Sequence, residues 1–415
     1  MIDIQILRDN PDLVKQKSAE KRVDVDIDRI LNVDIQYRDL LSQVELLRQK
    51  RNEISSRMKN GKPDAELIEQ GKQLKVELSD REELLEKSKN ELNSLMYQVP
   101  NLHFDDVPVG VEGEGVEVSR FGDCETTGGI DHQDFATARG WLDFEGGAKV
   151  AGAKFYFLKG DLALLENAIL QYAIELVTKE NFQYITVPHL VNSRTAQGAG
   201  FSPRSDKEGN EYFVEGEDLS LIATAEMPLT GLHADDIIDE DKLPILYAGY
   251  SACYRREAGT YGKHTRGLFR VHQFNKLELY AFCSPDKSAE MHQRILSIEE
   301  RIWQEIGIPY HVINIPSGDL GAPAAKKYDI EYWSTVDGAF RELTSCSNCT
   351  DFQTRNLNIR VRRKDGNIEL AHSLNGTAVS MARTLVAVIE HYQNPDGTLR
   401  IPQVIQKYMG GRQTI

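Results

Sequence analysis

Apolar side chains recur at helical spacing from about residue 34 to 60, at Tyr37, Leu40, Leu41, Val44, Leu47, Ile54 and Met58, with charged residues between them. The spacing predicts a long amphipathic helix. Asn60-Gly61-Lys62-Pro63 interrupts it: Gly serves as a helix C-cap, and Pro is tolerated in the first turn of the next helix. The same period then resumes through Leu67, Leu74, Leu78, Leu85, Leu92 and Leu95 and stops at Pro100. Two such segments predict an antiparallel hairpin, and at 1.5 Å per residue lengths of about 27 and 35 residues give a rod on the order of 40 to 50 Å. Its two narrow apolar stripes cover each other, as in a coiled coil, and leave most other faces wet.

From Asn101 to about Val118 the chain turns to Pro, Gly and acidic residues, a linker composition. The pattern beyond it is mixed. Strands are predicted at Lys154 to Leu158, Tyr184 to Pro188, Leu219 to Ala223, Leu246 to Arg256, Leu268 to Cys283, Tyr310 to Asn314, Tyr328 to Ser334 and Arg341 to Ser345. Helices are predicted at about Asp161 to Glu180, Pro285 to Ile306 and Ala378 to His391. Neighbouring strands joined by hairpins imply a mostly antiparallel sheet flanked by helices, an α+β fold. The expected division is 1-105 for the helical arm and 106-415 for the mixed domain.

The 415 residues suffice for a large core and two domains, and the composition is that of a soluble protein. No apolar run approaches the ~18 to 20 residues of a membrane helix, and the start lacks the features of a signal peptide, so a cytoplasmic protein is expected. Five cysteines over such a length do not make a disulfide framework. Cys346 and Cys349 have the Cys-x-x-Cys spacing, but zinc takes about four ligands and no second pair exists, so no zinc is expected. A net charge of -15 argues against indiscriminate nucleic-acid binding and requires any RNA to meet a local basic patch. Arg48, Lys50, Arg51, Arg57, Lys59 and Lys62 form one near the tip of the helical arm. From the residues alone, this arm suits a dimerising or spacing coiled coil as well as an RNA-binding one.

The densest chemistry lies between Cys253 and Leu279. Read as a hairpin, it places Arg255 and Glu257 on one face of the first strand and Arg270, His272, Phe274 and Glu278 on one face of the second. A loop from Gly259 to Gly267, rich in basic residues, joins them. Guanidinium forks for phosphate, an aromatic plane for a base and carboxylates for an ammonium make a site for a nucleotide plus an amino acid. No Gly-x-x-x-x-Gly-Lys-Ser/Thr or Gly-x-Gly-x-x-Gly follows a strand, which disfavours P-loop and dinucleotide-binding folds.

This segment resembles motif 2 of class II aminoacyl-tRNA synthetases in its seryl-tRNA synthetase form, bacterial type. Three further segments agree in order and spacing: Thr224-Ala225-Glu226, Glu342-Leu343-Thr344-Ser345 running on through Cys349 to Gln353, and Asn375-Gly376-Thr377 leading to Arg383. The helix and strand around Asn181 to Pro188 resemble motif 1, which in that class builds the homodimer interface. The resemblance implies a ligase that activates serine with ATP and transfers it to tRNA(Ser), with tRNA(Sec) as a second candidate acceptor. It implies that Arg255, Arg256, Glu257, Arg270, Phe274, Glu342, Leu343, Thr344, Ser345 and Arg383 bind ATP, with Arg255, Arg270 and Arg383 catalytic. Within that set Phe274 and Arg383 sandwich the adenine, and Glu257 orients Arg255. Glu342 and Ser345 hold magnesium, and Thr224, Ala225, Glu226, Glu278 and Thr377 bind serine. The N-terminal arm then gains the long variable arm of the tRNA as its partner, with Arg48, Lys50, Arg51, Arg57 and Lys59 as its contacts.

Two positions depart from the family pattern: Ala378 and Ala382 stand where motif 3 usually has glycines, and Arg355-Asn356 stands where an arginine pair is usual. Related enzymes that load a carrier protein lack the long arm, which this chain has. A non-catalytic relative would have lost Arg255, Arg270, Glu342 or Arg383, and all four are present.

Overall fold

The computed structural model describes residues 1–59, 65–126, 128–201, 210–257 and 266–415. The chain divides into two compact units, Met1–Leu102 and His103–Ile415. The first opens with two short helices, Ile4–Asp9 and Pro11–Glu20, that apolar periodicity does not reveal. Their signal is in the caps instead. The Asp3 carboxylate accepts from the Gln5 amide at 2.8 Å and the Asn10 side chain from the Leu13 amide at 3.2 Å, with Pro11 in the first turn. Two long helices follow, α1 (Ile27–Lys59) and α2 (Ala65–Gln98), of 33 and 34 residues. Val44 and Leu47 of α1 pack against Leu74 and Leu78 of α2, with Ile54 and Leu85 at the margin. α1 begins seven residues before the predicted start, because Ile27, Ile30 and Val33 continue its buried stripe toward the short helices. The predicted break at Asn60-Gly61-Lys62-Pro63 lies outside the described residues, as does Lys62 of the basic cluster.

The second unit is built on one eight-stranded sheet. Its strands are β1 (Val116–Phe121), β2 (Gln183–Thr186), β3 (Ile245–Tyr254), β4 (Gln273–Cys283), β5 (Tyr310–Asn314), β6 (Lys326–Ser334), β7 (Ala339–Asn348) and β8 (His372–Ser380). The spatial order is β1-β5-β6-β7-β8-β4-β3-β2, antiparallel throughout except for the edge pair β2 and β3. Pro188 follows the end of that edge strand, where its missing N–H costs no ladder bond.

Helices α3 (His132–Ala138), α4 (Gly160–Lys179), α5 (Glu226–Gly231), α6 (Ser288–Ile306), α7 (Phe352–Asn356) and α8 (Met381–Tyr392) pack around the sheet. Leu165, Ile169 and Ala173 of α4, Ile295, Ile302 and Trp303 of α6, and Leu385 and Val388 of α8 bury against Leu277, Leu279 and Ala281 of β4. Non-directional burial of this apolar surface supplies most of the driving force and fixes the central strands that carry the polar site.

Three boundaries near the site differ from expectation. The strand expected from Leu268 begins only at Gln273, after a 3-10 turn at Gly267–Phe269, and its partner ends at Tyr254 rather than Arg256. The helix expected from Ala378 begins at Met381, because Ala378, Val379 and Ser380 still belong to β8 and pair with β4.

Candidate active site

β3 and β4 set the site through their register, in which Cys253 faces Phe274 and Tyr254 faces Gln273. Beyond Tyr254 the ladder continues by one bond, from the Arg255 amide to the His272 carbonyl at 2.9 Å, and then opens. Arg255, Arg256 and Glu257 therefore lie past the strand end. Asn210 holds this departing segment: its carbonyl accepts from the Arg256 amide at 2.9 Å and its side-chain oxygen from the Glu257 amide at 2.8 Å. Glu257 takes a left-handed backbone, φ 48°, which turns its carboxylate across to Arg270 at 2.6 Å. Glu257 thus orients Arg270, where the sequence suggested Arg255. Arg255 instead lies over the Phe274 ring, 5.2 Å from its centroid. The loop expected from Gly259 to Gly267 falls mostly outside the described residues.

One cavity collects most of the predicted nucleotide residues. Arg255, Glu257, Arg270, Phe274, Glu342, Leu343, Thr344, Ser345, Thr377 and Arg383 all line it. Simple alternation would put Glu342 and Ser345, three apart on β7, on opposite faces. A bulge prevents this: Ser345 pairs with Asp329 and Glu342 with Glu331, two positions apart on β6, so the extra residue on β7 returns both to one face. A second bulge, at Ala378, pairs Thr377 with Glu278. Neither Ala378 nor Ala382 has a positive φ, so neither backbone position demands the glycine that the family usually places there.

Arg383 reaches the cavity from α8, donates to Glu342 at 2.7 Å and lies 5.0 Å from the centroid of Phe269. Burial pushes the Glu342 carboxyl up, but Arg383, Lys327 and Arg255 outweigh it and hold it at about 2. It is a carboxylate at any ordinary pH. Behind it Asp329 is pushed up to about 7 by burial, against the opposing pull of Lys327.

The predicted serine residues sit deeper. Thr224, Ala225, Glu226 and Glu278 are buried and do not line the cavity, whereas Thr377 does. Glu226 opens α5. Its Oε1 accepts from Gln353 Nε2 at 2.7 Å and Asn375 Nδ2 at 2.9 Å. Gln353 is itself fixed by Tyr280 at 3.1 Å, Ser373 at 2.7 Å and the Ala199 carbonyl at 3.0 Å. Burial, then the nearby Glu278, raise Glu226 to about 7. Glu278 pairs with Lys276 and accepts from Thr224.

Lys276, Phe269, Val271 and Asn375 were not assigned roles from the sequence. Lys276 was within reach, since it lies between Phe274 and Glu278 on the same strand face and, like Phe274, lines the cavity. His272, placed on that face by alternation, instead packs against Phe155 and Tyr212 and holds the Arg255 carbonyl through Nδ1 at 2.9 Å. On the arm, Arg48, Lys50, Arg51, Arg57 and Lys59 are all exposed along α1, and Arg48 pairs with Glu82 at 2.8 Å. Arg256 does not line the cavity. Cys346 and Cys349 are buried in the core beside the site.

Comparison with known proteins covers both units. Residues 1–103 match the model for the seryl-tRNA synthetase N-terminal domain, and residues 212–392 match the tRNA synthetase class II core domain of the G, H, P, S and T enzymes. The chain is 45% identical over 418 residues to a serine--tRNA ligase of Dictyoglomus thermophilum, covering 99% of this chain and 98% of the relative. It is 40% identical to one of Methanocella arvoryzae, covering 99% of both chains. Bacterial and archaeal relatives thus match at comparable levels, and neither type is singled out. Among solved structures, the seryl-tRNA synthetase of Pyrococcus horikoshii complexed with ATP superposes with a TM-score of 0.91 at 37% identity, covering 100% of this chain and 99% of that one. The cytoplasmic serine-tRNA ligase of Naegleria fowleri in complex with AMP gives 0.86 at 32% identity, covering 100% and 98%.

Proposed function

The chain belongs to the seryl-tRNA synthetases, class II ligases that use ATP to join serine to tRNA, and from that premise we propose the part each residue of the cavity plays. The observation that carries the assignment is the convergence of Arg255, Arg270 and Arg383 on one cavity with Glu342, Ser345 and Thr377. ATP is the nucleotide. In the first step an oxygen of the serine carboxylate attacks the α-phosphorus, the bond to pyrophosphate breaks, and seryl-adenylate forms. Catalysis of this kind is positioning plus neutralisation of charge, and no nucleophilic side chain is required. Arg255 meets the α-phosphate. Arg270, oriented by Glu257, meets the β/γ end. Phe274 and Arg383 hold the adenine between a ring and a guanidinium. In the second step a hydroxyl of the terminal adenosine of tRNA attacks the seryl carbonyl, and AMP leaves.

Glu342 and Ser345 fit a divalent metal ion, since the bulge puts two hard oxygen donors on one face and the carboxyl is held ionised. Magnesium bound there supplies neutralisation of phosphate charge. Glu278 receives the serine ammonium, with Thr224 beside it. Glu226, Ala225 and Thr377 enclose the rest of the substrate, and a site built around hydrogen bonds to a hydroxyl discriminates strongly against alanine.

For the arm, domain 1-105, we propose the variable arm of tRNA(Ser) as partner, contacted through phosphates by Arg48, Lys50, Arg51, Arg57 and Lys59. tRNA(Sec) stays the second candidate acceptor. The edge strand β2, with Tyr184 exposed, and α4 resemble the motif 1 interface, which supports a homodimer. The five cysteines are free thiols, four of them buried, which suits the cytoplasm. No helix among the described residues is long and apolar enough to cross a membrane.

ATP–pyrophosphate exchange with magnesium across serine, threonine, alanine and cysteine tests the assignment. Exchange with serine alone is expected. Exchange with none of the four would remove the catalytic reading of the cavity.

A further inference from the structure

We propose that His132, on α3 and outside the motifs of the site, is a positioning residue for ATP: it fixes the backbone at Leu268 so that Phe269 and Arg270 face the nucleotide cavity. The sheet cannot do this. Its ladder ends at the bond from the Arg255 amide to the His272 carbonyl, so residues 266–270 stand beyond any strand pairing, yet Leu268, Phe269 and Arg270 line the cavity.

α8 packs beside them, and α3 holds their backbone and Arg266 by hydrogen bond and ion pair. The Leu268 amide donates to His132 Nε2 at 3.1 Å. Gly267 has φ +62°, and a Cβ there would stand 2.2 Å from the same Nε2, so the imidazole occupies the space of a side chain. Arg266 donates twice to the Asp134 carboxylate, at 3.0 and 2.5 Å, and lies 3.5 Å from Asp131. Three consecutive residues are thus seated on one short helix. The next two are Phe269, beneath Arg383, and Arg270, paired with Glu257.

His132 is 3% exposed. Because Nε2 accepts, the ring must be neutral with its proton on Nδ1. Nδ1 has no hydrogen-bond partner; Asp131 lies 3.6 Å away and Glu390, on the same helix as Arg383, 4.0 Å. The charged groups around the ring are Asp131 and Asp134 of its own segment, Arg266, Glu390 of α8, and Asp337 between β6 and β7. Burial dominates them and favours the neutral ring. A protonated ring donates at both nitrogens and releases the Leu268 amide.

This inference rests on the assignment of the cavity to ATP, and the test separates the two. Pyrophosphate exchange is measured for the intact chain and for His132→Leu, which has no acceptor, and His132→Gln, whose amide oxygen replaces it. The Leu variant is expected to raise the KM for ATP about tenfold, the effect of one lost buried hydrogen bond, with the KM for serine within about twofold. Gln is expected to recover most of the loss. Parallel rises in both KM values, or a Leu variant within about twofold of the intact chain for ATP, would overturn the role.

Should the Leu variant not fold, the intact chain and the Gln variant decide. Because burial holds His132 neutral through the ordinary imidazole range, the KM for ATP is expected to stay level down to about pH 6.5 and to rise only below it in the former, as the ring protonates, and to stay flatter there in the latter. The same profile in both overturns the proposal. Amide hydrogen exchange at Leu268, expected to be faster in the Leu variant and close to that of the intact chain in the Gln variant, reads the clamp without activity. If the intact chain shows no serine-dependent exchange, the ATP reading fails, and the rate at Leu268 still decides the clamp.

Discussion

Glu342 of β7 and Arg383 of α8 are joined by a 2.7 Å ion pair across the cavity. Each is assigned a different part of ATP chemistry, the carboxylate to a metal ion and the guanidinium to the nucleotide. In the structure each neutralises the other, and under that assignment ATP binding would exchange that pair for two new ones. Glu342→Gln keeps the shape and a hydrogen-bond acceptor but loses the charge. We expect the magnesium concentration for half-maximal exchange to rise and the maximal rate to fall by about 10²-fold, as for loss of one electrostatic group in a polar site. Because the carboxyl is held at about 2, its charge is constant above about pH 4, and no limb of the pH–rate profile belongs to it. A magnesium dependence unchanged in the variant would remove Glu342 from the metal role.

The ion pair between Glu257 and Arg270 yields a distinct prediction. Glu257→Gln weakens the hold on Arg270 and leaves Arg255 over Phe274. The KM for ATP is expected to rise several-fold, while the KM for serine changes by less than about twofold, because Arg270 is assigned to the outer phosphates. An effect on serine as large as that on ATP would return Glu257 to the inner end of the site.

Glu226 links site chemistry to stability. Burial raises its carboxyl to about 7, above its unfolded value near 4.3. Between those two pH values the folded chain binds the extra proton, so stability falls as pH rises through the window and levels off above it. A raised carboxyl is fully favourable only below the unfolded value. The difference amounts to at most about 4 kcal/mol. Denaturant midpoints from about pH 4.5 to about pH 7.5 are expected to decline less steeply in Glu226→Gln than in the intact chain. Added serine, whose ammonium favours the ionised pair of Glu226 and Glu278, is expected to reduce the decline in the intact chain. Parallel midpoint curves for the two proteins would place the proton elsewhere. In exchange assays, Glu226→Ala is expected to impair serine dependence far more than ATP binding.

The assignment to this fold was legible because its strongest signals are local. Pro63 and the leucine period predicted the hairpin, and alternation put Phe274 and Glu278 on one face of β4, the face from which Lys276 also lines the cavity. What escaped depends on partner strands. The bulge on β7 that turns Glu342 and Ser345 to the same side is a mismatch of register with β6, and no pattern within residues 342–345 records it. The left-handed backbone at Glu257 is held by Asn210, 47 positions away, so the carboxylate crosses to Arg270 for a reason that spacing cannot carry. The late start of α8 has the same origin, since Val379 and Ser380 pair with β4 before the helix can begin.

Gly376 tests the packing beneath Thr377. A Cβ there would stand 2.3 Å from Ile295 Cγ2 and 2.4 Å from Glu299 Oε1 of α6. Gly376→Ala is expected to destabilise the second unit by about 1 to 3 kcal/mol through overpacking. It is also expected to raise the KM for serine, because relief requires β8 to move and Thr377 moves with it. A variant with an unchanged denaturant midpoint would mean that α6 yields at little cost.

The arm is tested by separating tRNA from chemistry. Arg48, Lys50 and Arg51 are exposed on α1, and the pair of Arg48 with Glu82 is between two half-exposed side chains, so its loss costs at most about 1 kcal/mol. Replacing all three by Ala therefore leaves the hairpin, held by Val44, Leu47, Leu74 and Leu78, folded. If these residues meet phosphates, each contact released counterions on binding, and removing them reduces the slope of log affinity against log salt by up to about three. The KM for tRNA is expected to rise and its salt dependence to flatten, with serine-dependent exchange retained. Unchanged aminoacylation at limiting tRNA would move the contact surface off this part of α1, because a helix that loses three phosphate contacts cannot keep its affinity at physiological salt.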